Sequence, residues 1–173
     1  MEVPSGRIKQ EIKQGKPFGS HARAAAVSLV RTVDMLKGFI GDVLSAGGIT
    51  LQQYNVLRIL RGAGEAGLPT LEIRERLLER SAGITKLMDR LERKGLVRRE
   101  RGTDDRRQIR CHITPEALSL LSSLEAPVAA AEEAALGLGP EDLASLLGIL
   151  DRIRMRVGEQ IAAELTDSVA EAE

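Results

Sequence analysis

The chain is poor in aromatic residues and almost free of cysteine. It has no tryptophan, one tyrosine, two phenylalanines and one cysteine in 173 residues. A lone cysteine cannot close a disulfide within the chain, which excludes a small secreted scaffold held by disulfides. With only two histidines beside it, no ligand spacing of the zinc type is available, and neither metal nor cofactor is expected. An aromatic content of 2% argues against the base-stacking platforms that grip single-stranded nucleic acid. No apolar run approaches the roughly 18 residues of a membrane-spanning helix. Near the start Arg7, Lys9, Glu11, Lys13 and Lys16 are interleaved with no apolar stretch, so a signal peptide is not read there and a cytoplasmic location is expected. No serine has a histidine and an aspartate patterned for nucleophilic catalysis, and no enzymatic activity is expected. The chain also lacks an excess of charge: 25 basic residues balance 25 acidic ones. Taken whole, that neutrality argues against a polyanion partner.

By region the balance disappears. Residues 1–57 carry 7 basic and 4 acidic side chains, residues 58–110 carry 15 and 9, and residues 111–173 carry 3 and 12. A basic middle beside an acidic C-terminal third suggests that one region meets an anion.

The hydrophobic pattern divides the chain into an arm, four helices, a hairpin and two more helices. Residues 1–20 read as a polar arm, with Ile8 and Ile12 placed for a short helix. An Ala-rich helix starts at His21 and ends at Gly47-Gly48. Thr50 with Gln53 three residues later forms a capping box for a second helix that stops at Gly62. The segment Gly62 to Gly67 matches G-x-G-x-x-G, yet no strand precedes it, so it reads as an interhelical turn and not a nucleotide loop. A short third helix opens at Thr70. Ser81 then caps a fourth, Ala82 to Lys94, closed by Gly95 and buried along Ile84, Leu87, Met88 and Leu91. Leu96 to Arg101 and Gln108 to Ile113 pattern as strands, with Ile109, Cys111 and Ile113 on one side and Arg110 and His112 on the other. Thr114-Pro115 starts a helix with proline in its first turn, and Pro127 is placed to bend it. After Gly137 to Pro140 a last helix runs from Glu141 to Leu165 with leucine and isoleucine every three or four positions.

Two short helices followed by a basic hairpin describe a winged helix-turn-helix: a mainly α fold with a small β-hairpin wing, flanked by further helices. An α-helix fits the major groove, where base edges can be distinguished. Small residues at its leading end, Ser81, Ala82 and Gly83, let the backbone approach closely, and its N-terminus favours a phosphate. Thr85, Lys86 and Arg90 add hydrogen bonds and charge. At the wing tip Arg106 or Arg107 suits the narrow, electronegative minor groove. Asp105, two residues before Arg107, is placed to fix that guanidinium.

The run Leu77-Leu-Glu-Arg-Ser-Ala-Gly-Ile-Thr-Lys-Leu-Met-Asp-Arg-Leu-Glu-Arg-Lys-Gly-Leu-Val97, with Asp104-Asp-Arg-Arg107 and Ile113-Thr-Pro-Glu116, resembles the MarR-type bacterial transcription regulators. The resemblance spans about Ala24 to Leu165. It implies a homodimer in which the first and last two helices interlock, one winged helix per subunit, and repression usually relieved by a small ligand or an oxidant. It places Asp105 and Arg107 in the minor groove and makes Ala82 to Lys94 the recognition helix. The organisation expected is an arm (1–20), an N-terminal dimerisation helix (21–49), a winged helix (50–113) and C-terminal dimerisation helices (114–173), within one compact domain. The chain departs from oxidant-sensing members in having no cysteine near the first helix start; Cys111 reads as a small buried hydrophobe.

Partners follow from these residues. Double-stranded DNA carrying an inverted repeat is expected, since one winged helix makes few base contacts and two-fold pairing doubles them. The apolar stripe of the last helix is assigned to the dimer rather than to packing within the monomer. The resemblance implies a pocket between the dimer helices and the winged helix; Met35, Phe39, Tyr54 and Leu118 are candidates to line it, and each is equally explained as core. A small apolar or aromatic effector would suit it. His112 is expected on the outer face of the wing and His21 in solvent. Two other classes stay open at this stage: a dimeric adaptor or ligand sensor that kept the fold without binding DNA, and an enzyme using a winged helix to dimerise, for which little chain remains after Leu165.

Overall fold

The computed structural model of the chain describes residues 6–78, 83–101 and 109–170. Its elements in order are α1 (Ile8–Glu11), α2 (His21–Ala46), α3 (Leu51–Ala63), a 3-10 turn (Gly64–Ala66), β1 (Leu68–Pro69), α4 (Thr70–Arg76), α5 (Ile84–Arg93), β2 (Val97–Arg101), β3 (Ile109–Ile113), α6 (Pro115–Leu136) and α7 (Pro140–Ala170). Two compact units emerge, residues 1–135 and 136–173.

Local chemistry sets the helix starts. Ser20 accepts a hydrogen bond from the Arg23 amide at 3.1 Å and caps α2. At α3 the reciprocal box forms as the spacing predicts: the Gln53 amide donates to Thr50 Oγ1 at 3.2 Å, and the Thr50 amide donates to Gln53 Oε1 at 3.1 Å. Thr114 Oγ1 accepts from the Ala117 amide at 3.2 Å and donates to the Gly95 carbonyl at 2.8 Å. One hydroxyl thus caps α6 and ties its start to the chain leaving α5. Pro115 opens α6 with a residue whose missing N–H costs nothing there. The bend anticipated at Pro127 does not split the element: α6 runs as one helix with the proline inside it.

The sheet differs from a two-stranded hairpin. It has three antiparallel strands in the order β1-β3-β2. β2 and β3 pair from Val97↔Ile113 to Arg101↔Ile109, and Leu68 and Pro69 pair with Cys111 and Arg110. Proline is tolerated in β1 because that strand lies at an edge.

The core of the first unit joins α2 and α3 to α4, α5, the sheet and α6. Leu44, Val56, Leu57, Leu60, Ile73, Met88, Leu91, Cys111 and Leu121 are fully buried in it. A second, small cluster holds the arm: Ile8 and Phe18 pack with Ala24, and Val27 lies against them. The arm is therefore not wholly polar in its packing. In the second unit α7 is 31 residues long, about 46 Å at 1.5 Å per residue. It starts at Pro140 and passes Leu165, the end read from periodicity. Leu147, Ile153, Val157 and Ile161 are exposed along it. No helix among the described residues is long and apolar enough to cross a membrane.

Candidate nucleic-acid interface

α5 has three longitudinal faces. Leu87, Met88 and Leu91 are buried, with Ile84 packed against the same core. Lys86, Arg90 and Arg93, spaced by four and three, are exposed. Thr85, Asp89 and Glu92, spaced likewise, lie between those two faces. The helix begins at Ile84 with Gly83 as its N-cap and ends at Arg93, two residues inside the expected start and one inside the expected end. Of the residues assigned to reading DNA, Gly83, Thr85, Lys86 and Arg90 are exposed on or beside this helix. Ser81, Ala82, Asp105, Arg106 and Arg107 lie outside the described residues.

Three side chains hold this head in place, and none of them was singled out by spacing. Arg99 on β2 places Nη2 2.7 Å from Asp89 Oδ1 and donates to the Thr85 carbonyl at 3.4 Å; its Nε lies 3.7 Å from Glu92 Oε2. Lys94 Nζ donates to the Gly48 carbonyl and reaches Gln53 Oε1 at 3.4 Å, so the end of α5 is tied to the α2–α3 turn. Asn55 Oδ1 on α3 accepts from the Leu78 amide at 3.1 Å and holds the chain that leaves α4. These partners lie between 7 and 46 positions apart in sequence and on different elements, so periodicity carries no signal for them.

The wing strands place the remaining candidates. Cys111 is buried and its Sγ lies 3.5 Å from Thr70 Oγ1. Burial pushes its thiol up, and the Thr70 hydrogen bond only partly opposes that, which favours the neutral thiol. His112 is not on an open outer face. Its ring packs beside Gly67, Nδ1 lies 3.2 Å from the Glu65 carbonyl and Nε2 lies 3.5 Å from Glu100 Oε2, leaving the side chain 15% exposed. It joins the 3-10 turn to both wing strands. Ile109, read as lying on the inward face with Cys111, is exposed.

A cavity of about 370 Å³ opens beside α2 and α3. Leu36 and Ile40 of α2, Tyr54 and Asn55 of α3, and Leu77 and Leu78 after α4 contribute to its walls. The Arg58 guanidinium also lines it, 5.7 Å from the Tyr54 ring centroid, within reach of a cation–π contact. Tyr54 is thus the one sequence candidate on the wall. Met35, Phe39 and Leu118 are exposed and stand outside it.

A chain with this head resembles known proteins at three levels. The model of the MarR family matches residues 49–109. A MarR transcription factor from Planctomyces limnophilus is 36% identical, with 78% of this chain and 98% of that one covered and a TM-score of 0.61. The S. aureus MepR–DNA complex superposes over 75% of this chain and 96% of the other, at 21% identity and a TM-score of 0.68. Bordetella bronchiseptica BpsR, whose DNA binding is regulated by 6-hydroxynicotinic acid, matches over 73% and 89% at 20% identity and a TM-score of 0.65. The last two establish the fold, three antiparallel strands set among helices as a winged helix-turn-helix. The first, together with the match over the head, establishes kinship: the chain belongs to the MarR family of transcription regulators.

Proposed function

We propose that the protein is a homodimer that binds double-stranded DNA at an inverted repeat, represses transcription there, and is released by a small apolar or aromatic effector. The observation that carries the reading is α5. Its apolar residues face the core while Lys86, Arg90 and Arg93 stand in solvent beside Thr85, on a helix of the width that a major groove admits. The S. aureus relative was captured on DNA, and the Bordetella relative answers to a small aromatic acid, which supports both parts by likeness. In this reading residues 50–113 form the DNA-binding head. The helices in 21–49 and 114–173 supply the two-fold surface, for which the exposed stripe of α7 is the chemical motive. The cavity that reaches Leu77 and Leu78, just ahead of α5, is the proposed effector site. Membranes have no part in the reading, and the cytoplasm is its setting.

Selection from a pool of random-sequence duplexes tests the DNA part. The expected product is a palindromic site whose half-sites are centred about 34 Å apart, one helical turn. Sedimentation equilibrium of the free protein should give a dimer. A protein that enriches no duplex at low salt would overturn the reading.

A further inference from the structure

Arg99 deserves a role of its own in DNA recognition, although it does not face the groove. Strand alternation puts it on the same side of β2 as buried Val97 and opposite Cys111 of β3. Its side chain is 21% exposed, against 62% for the neighbouring Arg98, which pairs with Glu100 on its own strand. From there Nη2 meets both Asp89 Oδ1 and the Thr85 carbonyl, while Nε, buried and without a hydrogen-bond partner, faces Glu92 Oε2 at the 3.7 Å of an ion pair; the three positions are four and three apart and therefore aligned along two turns of α5.

The registry between faces matters. Lys86, Arg90 and Arg93 each follow one of those three residues directly. The proposed reading face is thus about 100° round the helix from the anchored one, the angle of a single residue at 3.6 per turn. The apolar stripe prevents α5 from leaving the core, but aliphatic contacts are non-directional and tolerate a small roll about the helix axis. A planar fork with fixed donor directions does not. The same arginine sits on β2, so roll of the helix and the plane of the sheet are fixed against each other.

We propose that Arg99 is a positioning residue that locks the rotation of α5 relative to the strands β2 and β3, and that it thereby sets discrimination between operator and other DNA without contributing to attraction for DNA in general. The proposal rests on the DNA-binding reading above. Its consequence differs from that of a phosphate contact. Loss of a phosphate contact weakens binding to all sequences and lowers the salt slope by about one. Loss of a positioning residue weakens only the complex whose contacts need the correct angle.

Arg99→Lys keeps the charge and removes the fork. Binding is measured by fluorescence anisotropy, over a series of salt concentrations, to the duplex selected by the wild type and to a scrambled duplex of equal length. The expected result is a loss of about tenfold for the selected duplex, the size of one well-placed charge-assisted pair, with the scrambled duplex and both salt slopes unchanged. Asp89→Ala, which removes the 2.7 Å partner and leaves Arg99 in place, should lower the same ratio and serves if the lysine variant does not fold. Amide exchange provides an arm that needs no DNA: Arg99→Lys should speed exchange across Leu87 to Leu91 and leave α3 unchanged. An unchanged affinity ratio in folded variants overturns the proposal. So does a parallel loss for both duplexes with a shallower slope, which would make Arg99 a phosphate contact. Unchanged exchange in α5 also counts against it, whatever DNA does. A wild type that selects no duplex would instead overturn the reading on which the proposal rests.

Discussion

Gly67 is a position where the backbone excludes every other residue twice over. Its φ of +58° and ψ of −176° fall in a region that is essentially glycine's alone. A Cβ there would also lie 2.6 Å from the His112 ring and 2.7 Å from the Cys111 carbonyl. Gly64 shares the conformation, with φ +61° and ψ −148°, but a Cβ there meets nothing within 4 Å. The two glycines therefore separate strain from crowding. Gly64→Ala should cost roughly 1–3 kcal/mol from backbone strain, and Gly67→Ala should cost at least about 1 kcal/mol more from overpacking. Urea unfolding of both variants measures the difference; equal losses would mean that the His112 ring and the Cys111 carbonyl both shift aside freely. The G-x-G-x-x-G segment that contains both glycines leaves the end of a helix, as its reading as a turn requires, but its part as the seat of the wing histidine was not legible, because His112 lies 45 positions beyond Gly67. Arg107 stands at the other extreme. Its assignment rests on the Asp-Asp-Arg-Arg sequence alone. If its guanidinium enters the minor groove, Arg107→Ala should weaken operator binding by about 1–3 kcal/mol while circular dichroism and the dimer stay unchanged. Unaltered affinity would remove it from the site.

At the scale of elements, capping chemistry was the most legible part of the chain. The box at Thr50 and Gln53 and the proline at the head of α6 each depend on neighbours three or four positions away, so a linear reading contains them. The buried stripe of α5 was legible for the same reason. β1 was not. It is two residues long and exists only because β3 lies beside it, and its proline reads as a strand breaker until it is known to be at an edge. The link between α3 and α5 was hidden too. Asn55 holds the Leu78 amide across 23 positions and at the same time lines the cavity, so one side chain touches both the proposed effector site and the chain entering the reading helix. Asn55→Leu keeps the branching at Cγ without the acceptor. It should cost about 1 kcal/mol of stability, speed amide exchange at Leu78, and weaken operator binding while the dimer persists. Exchange at Leu78 that matches the wild type would show that the bond contributes nothing to holding the turn.

Across the whole molecule, charge and apolar surface are sorted by segment. Residues 58–110 hold 15 basic and 9 acidic side chains, whereas residues 111–173 hold 3 and 12. Overall neutrality keeps long-range attraction to a polyanion modest, so affinity must come from short-range contacts at the head. Several of its cations are already committed within the protein. Arg99 is shared between Asp89 and Glu92, Arg76 pairs with Glu72, Arg98 pairs with Glu100, and Lys94 is spent on the α2–α3 turn. Lys86, Arg90 and Arg93 on α5 and the two wing-tip arginines are the cations assigned to phosphates and bases. In the proposed dimer these cations would make about 6–10 phosphate contacts, for which operator affinity should fall by roughly 10³–10⁵ between 50 and 200 mM salt. Anisotropy titrations over that range give the slope. A steep slope for both operator and scrambled duplexes, with a constant gap between them, means that electrostatics sets the strength and the fixed angle of α5 sets the choice. A flat slope would mean that these cations do not meet a phosphate backbone, and the basic middle of the chain would then be a solvated face like any other.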